Sequence, residues 1–220
     1  MRTHAVFLRL QGRRCVVVGG DAAAESKVRA CLESGGEVTV VAPALDAGLA
    51  ALAADGRIRH VARAYRSGDL AGAAVAYAAV TDDSTVFRVR TEATDAGVLL
   101  NVVDRPDACD FLAPAVVRRG DLQVAVGTGG ASPGLAARVR RRLEALLGPE
   151  YGPFVAILGA VRRRLSRDPR RVAVMDALLE SPLLETVRHG RPDEVDRVLG
   201  GVVGAECTLA GLGVSLGTES

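Results

Sequence analysis

Apolar residues recur along the chain in two rhythms. Short continuous runs, Cys15-Val16-Val17-Val18, Val38-Thr39-Val40-Val41, 75–80 and 98–103, mark strands buried on both faces. Between them lie stretches with apolar residues three and four apart, such as Ala24, Val28, Cys31 and Leu32, which mark one face of a helix. Gly19-Gly20-Asp21 separates the first run from its helix, Gly35-Gly36 closes that helix, and Pro43 stops the second run. Residues 44–54 read as a second helix, and 57–61, nearly alternating, as a more exposed strand. Thr81-Asp82-Asp83 opens a helix that runs to about Ala96 and stops at Gly97. Strands alternating with helices predict an α/β fold built on a doubly wound, Rossmann-like parallel sheet.

The rhythm changes after Asp104. Residues 105–114 read as a loop and 122–126 as a strand. Ser132-Pro133 supplies an N-cap and first helical residue, followed by the stripe Leu135, Val139, Leu143 and Leu146. Beyond Gly148 only helical patterns occur, at 154–165, 170–179, 183–187 and 193–199. From about Gly204 the chain is rich in small residues and is expected to fray. Three segments are therefore expected: an α/β domain over 1–113, a middle segment over 114–147 and a helical domain over 148–220.

Composition narrows the function. With 49% hydrophobic but only 3% aromatic residues, the core must rest on alanine, valine and leucine. A net charge of +2 and scarce aromatics argue against nucleic acid as a partner. No apolar run of eighteen residues occurs and the N-terminus lacks a signal-peptide core, so a cytoplasmic protein with no membrane partner is expected. Cys15, Cys31, Cys109 and Cys207 show no metal-ligand spacing and no disulfide framework; Cys15 and Cys31 read as core. No metal site is assigned. Lys27 is the only lysine among 28 basic residues. The arginine clusters 118–119, 138–142 and 162–164 read mainly as polar helix faces, with a few suited to holding carboxylates in a two-pronged grip.

The candidate chemistry lies at strand ends. In a dinucleotide fold the first strand–helix turn lets the backbone approach a pyrophosphate, and the helix N-terminus supplies N–H donors. Here that turn is Gly19-Gly20-Asp21-Ala22-Ala23-Ala24, with Asp21 where a glycine is usual. By itself the turn reads equally well as a tight bend that binds nothing; the strand–turn–helix–strand context favours a dinucleotide. The second strand ends Val41-Ala42-Pro43-Ala44, with neither the ribose-holding acid nor a phosphate-holding arginine. Asp104 ends a buried strand, where a carboxylate can accept a proton or simply cap a loop.

Read together, these segments resemble a known family. Phe7-Leu8-Arg9-Leu10-Gln11-Gly12-Arg13, the glycine turn, Ala24-Glu25-Ser26-Lys27, Val38 to Pro43, Thr81-Asp82-Asp83, Asn101-Val102-Val103-Asp104, Phe111-Leu112-Ala113-Pro114-Ala115 and Thr128-Gly129-Gly130-Ala131-Ser132-Pro133 follow in an order similar to that of the precorrin-2 dehydrogenases, which include the N-terminal half of siroheme synthase. The likeness covers about residues 5–147. It implies oxidation of precorrin-2, a tetrapyrrole, to sirohydrochlorin with NAD⁺ as cofactor. In some members Fe²⁺ insertion follows, giving siroheme. It also implies a homodimer, with 114–147 as the dimerisation segment. It places the essential aspartate on Asp104. The NAD contacts fall on Gly19, Gly20, Asp21, Ala22, Ala23, Pro43, Ala44, Thr81 and Asp82. Thr128 is implied to line the substrate cleft, and Arg138 and the Arg118-Arg119 pair are the candidates for holding substrate carboxylates. The chain departs from the family pattern at Asp21 and at Phe87, where asparagine is usual. Two other readings stay open: a dinucleotide-sensing regulatory module, and a tetrapyrrole carrier that has lost NAD binding through Asp21.

Overall fold

The computed structural model describes residues 3–217 and divides into two compact units, one ending at Ala113 and one beginning at Pro114. The first is the doubly wound sheet that the valine-rich runs predict. Five strands, β1 (Arg14–Val18), β2 (Glu37–Val41), β3 (Arg59–Val61), β4 (Val75–Ala78) and β5 (Leu99–Val102), lie parallel in the order β3-β2-β1-β4-β5. Alternate side chains of each strand enter opposite layers. Cys15, Val17, Val38, Val40 and Tyr77 meet helices α1 (Ala22–Glu33) and α2 (Ala47–Ala54) on one face. Val16, Val18, Ala76, Ala78 and Leu100 meet α3 (Asp83–Ala96) on the other. Both faces are covered, so the strands read as unbroken apolar runs. Each fully buried valine or leucine here is stabilised by about 1.5–3 kcal/mol relative to exposure.

The helix boundaries follow the capping chemistry. Asp21 Oδ1 accepts from the Ala24 amide at 2.9 Å and starts α1. Asp82 Oδ2 accepts from the Thr85 amide at 2.8 Å and starts α3, which ends at Gly97 with φ +65°. The second helix is shorter than expected, because residues 44–46 are spent on the turn out of β2.

The second unit begins with a hairpin, β6 (Ala115–Arg119) and β7 (Leu122–Val126), paired antiparallel. The apolar pattern marks β7 as a strand but does not mark β6. Helix α4 (Pro133–Leu146) packs on the hairpin, and Ser132 Oγ caps it by accepting from the Leu135 amide. At its far end the Arg119 guanidinium donates to the Leu147 and Glu144 carbonyls at 2.7 and 2.9 Å, a cation on the negative end of a helix. Helices α5 (Tyr151–Arg164), α6 (Arg171–Glu180), α7 (Leu183–Arg188), α8 (Pro192–Val202) and α9 (Leu209–Leu212) enclose a separate core around Ile157, Leu178, Leu183 and Leu199.

The expected fraying from Gly204 is corrected over the described residues. Cys207 and Leu209 are buried in this core, and the Leu209 amide donates to the Asp196 carboxylate at 2.7 Å. Small residues here make a compact turn rather than a loose end. Residues 218–220 lie outside the described range. No described helix is long and apolar enough to cross a membrane.

Candidate functional site

In a parallel sheet every strand delivers its carboxyl end to the same edge, and ligands bind where neighbouring crossovers diverge. Here the divergence lies between β1 and β4. Val18 is in register with Val41 and Ala78, and Ala78 with Val102, so the four strands end at one level. The sequence-derived positions of the first unit follow directly: Gly19 to Ala23 after β1, Pro43 and Ala44 after β2, Thr81 and Asp82 after β4, Asp104 after β5. They share one edge. Thr128 and Arg138 belong to the second unit.

The glycines are required by their neighbours. Gly19 has φ +129°, and a Cβ there would run into the Ala79 carbonyl oxygen. A Cβ on Gly20 would run into the Ala44 carbonyl oxygen, and the Gly20 carbonyl accepts from the Asp46 amide at 2.7 Å. The loop after β2 is therefore laid directly against the glycine turn. Beyond it, the amides of Gly20, Asp21, Ala22 and Ala23 find no acceptor among the described residues, whereas those of Ala24 and Glu25 are satisfied by Asp21. A run of uncommitted N–H groups at a helix N-terminus fits a pyrophosphate. Asp21, the departure from the glycine pattern, has its carboxylate turned back into the helix as a cap.

Across the crevice, Asp104 is exposed and has φ +59°, the one non-glycine residue among those described with positive φ. Aspartate tolerates this conformation better than most residues, but it is an outlier of the sort found at functional sites. Its surroundings hold it there. Buried Asn101 donates to the Phe111 carbonyl at 2.9 Å, tying β5 to the following loop. The Arg105 guanidinium pairs with Asp83 at 2.5 Å and donates to the Thr81 carbonyl at 3.2 Å. Arg105 thus clamps the end of β4 to the end of β5. Sequence reasoning missed it because a lone arginine after a strand carries no pattern. The Asp104 carboxylate makes no hydrogen bond or ion pair among the described residues. Hydrogen bonds from Thr85 and Ser84 hold the Asp82 carboxyl at about 2, and its carboxylate caps α3.

In the second unit Thr128 Oγ1 accepts from the Ser132 amide at 3.0 Å, shaping the turn that starts α4. Arg138 is exposed on α4 and unpaired among the described residues, while Arg140 is bound to Glu144.

A doubly wound sheet whose strand ends converge on a glycine turn with free amides defines the class of dinucleotide-binding domains. Comparison with known proteins makes this specific. The chain belongs to the family described as putative NAD(P)-binding, whose model matches residues 6–115. A second model, sirohaem biosynthesis protein central, matches 119–146. The chain is 38% identical over 198 residues to siroheme synthase of Methylobacillus flagellatus, covering 88% of this chain and 42% of that protein. It is 36% identical over 198 residues to siroheme synthase of Thioalkalivibrio sulfidiphilus, covering 88% and 40%. The chain therefore spans about two fifths of the length of these relatives. The solved structure of SirC, a precorrin-2 dehydrogenase, has the same fold, with a TM-score of 0.76 and 24% identity, covering 91% of this chain and 98% of that one.

Proposed function

We propose that this chain oxidises precorrin-2 to sirohydrochlorin with NAD⁺. The observation that carries the reading is the pairing, at one sheet edge, of uncommitted amides at Gly20 to Ala23 with an exposed, strained and unpaired Asp104. Family membership and the likeness to siroheme synthases over both units support it.

Removing two hydrogens from a tetrapyrrole sends one away as hydride and one as a proton. NAD⁺, when bound, supplies the hydride acceptor. The glycine turn and the first amides of α1 hold its pyrophosphate, with Pro43, Ala44, Thr81 and Asp82 flanking it. Asp104 takes the proton; its clamped backbone fixes where the carboxylate stands, so little reorganisation is needed during reaction. Arg138 holds substrate carboxylates, and Thr128 is a second substrate contact. Fe²⁺ insertion into the product is a second reaction that the same carboxylate serves, by accepting pyrrole N–H protons. The active species is a homodimer joined through 114–147, consistent with the exposed Leu135 and Leu146 of α4. Four unpaired cysteines suit the reducing cytoplasm.

The test is an anaerobic assay of precorrin-2 with the purified chain, with and without NAD⁺ and then with Fe²⁺. NAD⁺-dependent formation of sirohydrochlorin is expected, and Asp104→Asn should abolish it. Full turnover in that variant would remove Asp104 from the chemistry. Dinucleotide binding without turnover of precorrin-2 would leave a sensing module instead.

A further inference from the structure

The family description leaves open which of two dinucleotides is taken. We propose that Asp46 decides it: its carboxylate holds the adenine-ribose hydroxyls and rejects a 2′-phosphate, so that NAD is bound and NADP refused. The inference rests on the cofactor reading above.

In doubly wound folds the adenine ribose lies beyond the carboxyl end of the second strand, where an acid binds its hydroxyls or a base accepts the phosphate. Val41-Ala42-Pro43-Ala44 offers neither charge. The chain then turns back. The Asp46 amide donates to the Gly20 carbonyl at 2.7 Å, and the Ala44 carbonyl fills the space left by the missing Gly20 side chain. Asp46 is thereby fixed against the glycine turn itself, at the rim of the crevice. The carboxylate is exposed and uncommitted: although Asp46 occupies the N-cap of α2, its side chain makes no capping bond, and it has no ion pair among the described residues.

Glu25 lies against Gly48 in the first turn of α2, and Arg29 is bound to Glu25 at 2.6 Å. His60 Nε2 is engaged with the Ala42 carbonyl at 2.9 Å. A phosphate on the ribose would meet a bare carboxylate where a hydroxyl would meet an acceptor.

Titration of the full chain with NAD⁺ and with NADP⁺ by isothermal calorimetry tests this directly. NAD⁺ is expected to bind at least about tenfold more tightly, as one like-charge contact near the surface requires. Asp46→Asn should narrow that ratio, and Asp46→Arg should raise NADP⁺ affinity above the wild-type value, both with unchanged circular dichroism because no capping bond is lost. Equal binding of both dinucleotides by the wild type overturns the inference, as does an unchanged ratio in Asp46→Asn. Binding of neither overturns the cofactor reading itself, a result distinct from equal binding.

Discussion

Asp104 combines an unfavourable backbone with a free carboxylate, and substitutions can separate the two. Asparagine tolerates φ +59° about as well as aspartate, so Asp104→Asn should keep the wild-type melting temperature while turnover is lost. Asp104→Val should in addition lose about 1–2 kcal/mol, because a β-branched side chain is disfavoured there; denaturant unfolding measures the difference. Equal stability of the two variants would show that the backbone is not strained. Asp21 separates in a similar way. Asp21→Gly should cost only a few tenths of a kcal/mol of cap and should tighten NAD⁺, because it removes a carboxylate beside the pyrophosphate. Weaker binding in that variant would show that the cap itself shapes the site. Asp104 was legible as the end of a valine-rich run, since a carboxylate closing a buried strand is conspicuous. Asp46 was not, because it lies five residues past β2 and reaches the site only through a backbone bond from its amide to Gly20.

At the scale of elements, the start of α3 carries a defined pH response. The Asp82 carboxyl is depressed to about 2 by hydrogen bonds from Thr85 and Ser84. A depressed acid contributes stability that is complete above its ordinary value of 3.8 and is lost as pH falls through the folded value. Acid unfolding of the wild type should therefore steepen between about 4 and 2. In Asp82→Ala that component should be absent, and the helix should be less stable at neutral pH for want of its cap. Arg105→Ala should release the clamp between β4 and β5 and lower kcat more than it changes NAD⁺ affinity; an unchanged kcat would make the clamp merely structural. The strands of the parallel sheet were legible because burial on both faces writes an unbroken apolar run. β6 was not: its only fully buried side chain is Val117, it ends in two arginines, and one of them, Arg119, is turned to cap α4. The segment after Gly204 misled for a related reason. Its order comes from Cys207 and Leu209 entering a core made by distant helices, which no local pattern records.

At the scale of the whole chain, two units carry separate cores, one layered around a sheet and one helical. Leu178, fully buried in the helical core, should cost about 2–5 kcal/mol on truncation to alanine. Hydrogen exchange should show the loss in the amides of α5 to α8; protection lost equally across the parallel sheet would mean that the units unfold as one. The alternation of strands and helices made the first unit readable from end to end, because each local rhythm agrees with the global fold. The glycine turn shows the limit of such reading. Its two missing side chains make room for the Ala79 and Ala44 carbonyls, so the sheet edge needs both glycines even with nothing bound. A descendant that abandoned its nucleotide would still be obliged to keep them. Retention of that dipeptide in a lineage therefore records the architecture and is silent about the cofactor, while drift at Asp104 and Asp46 would reveal a change of trade.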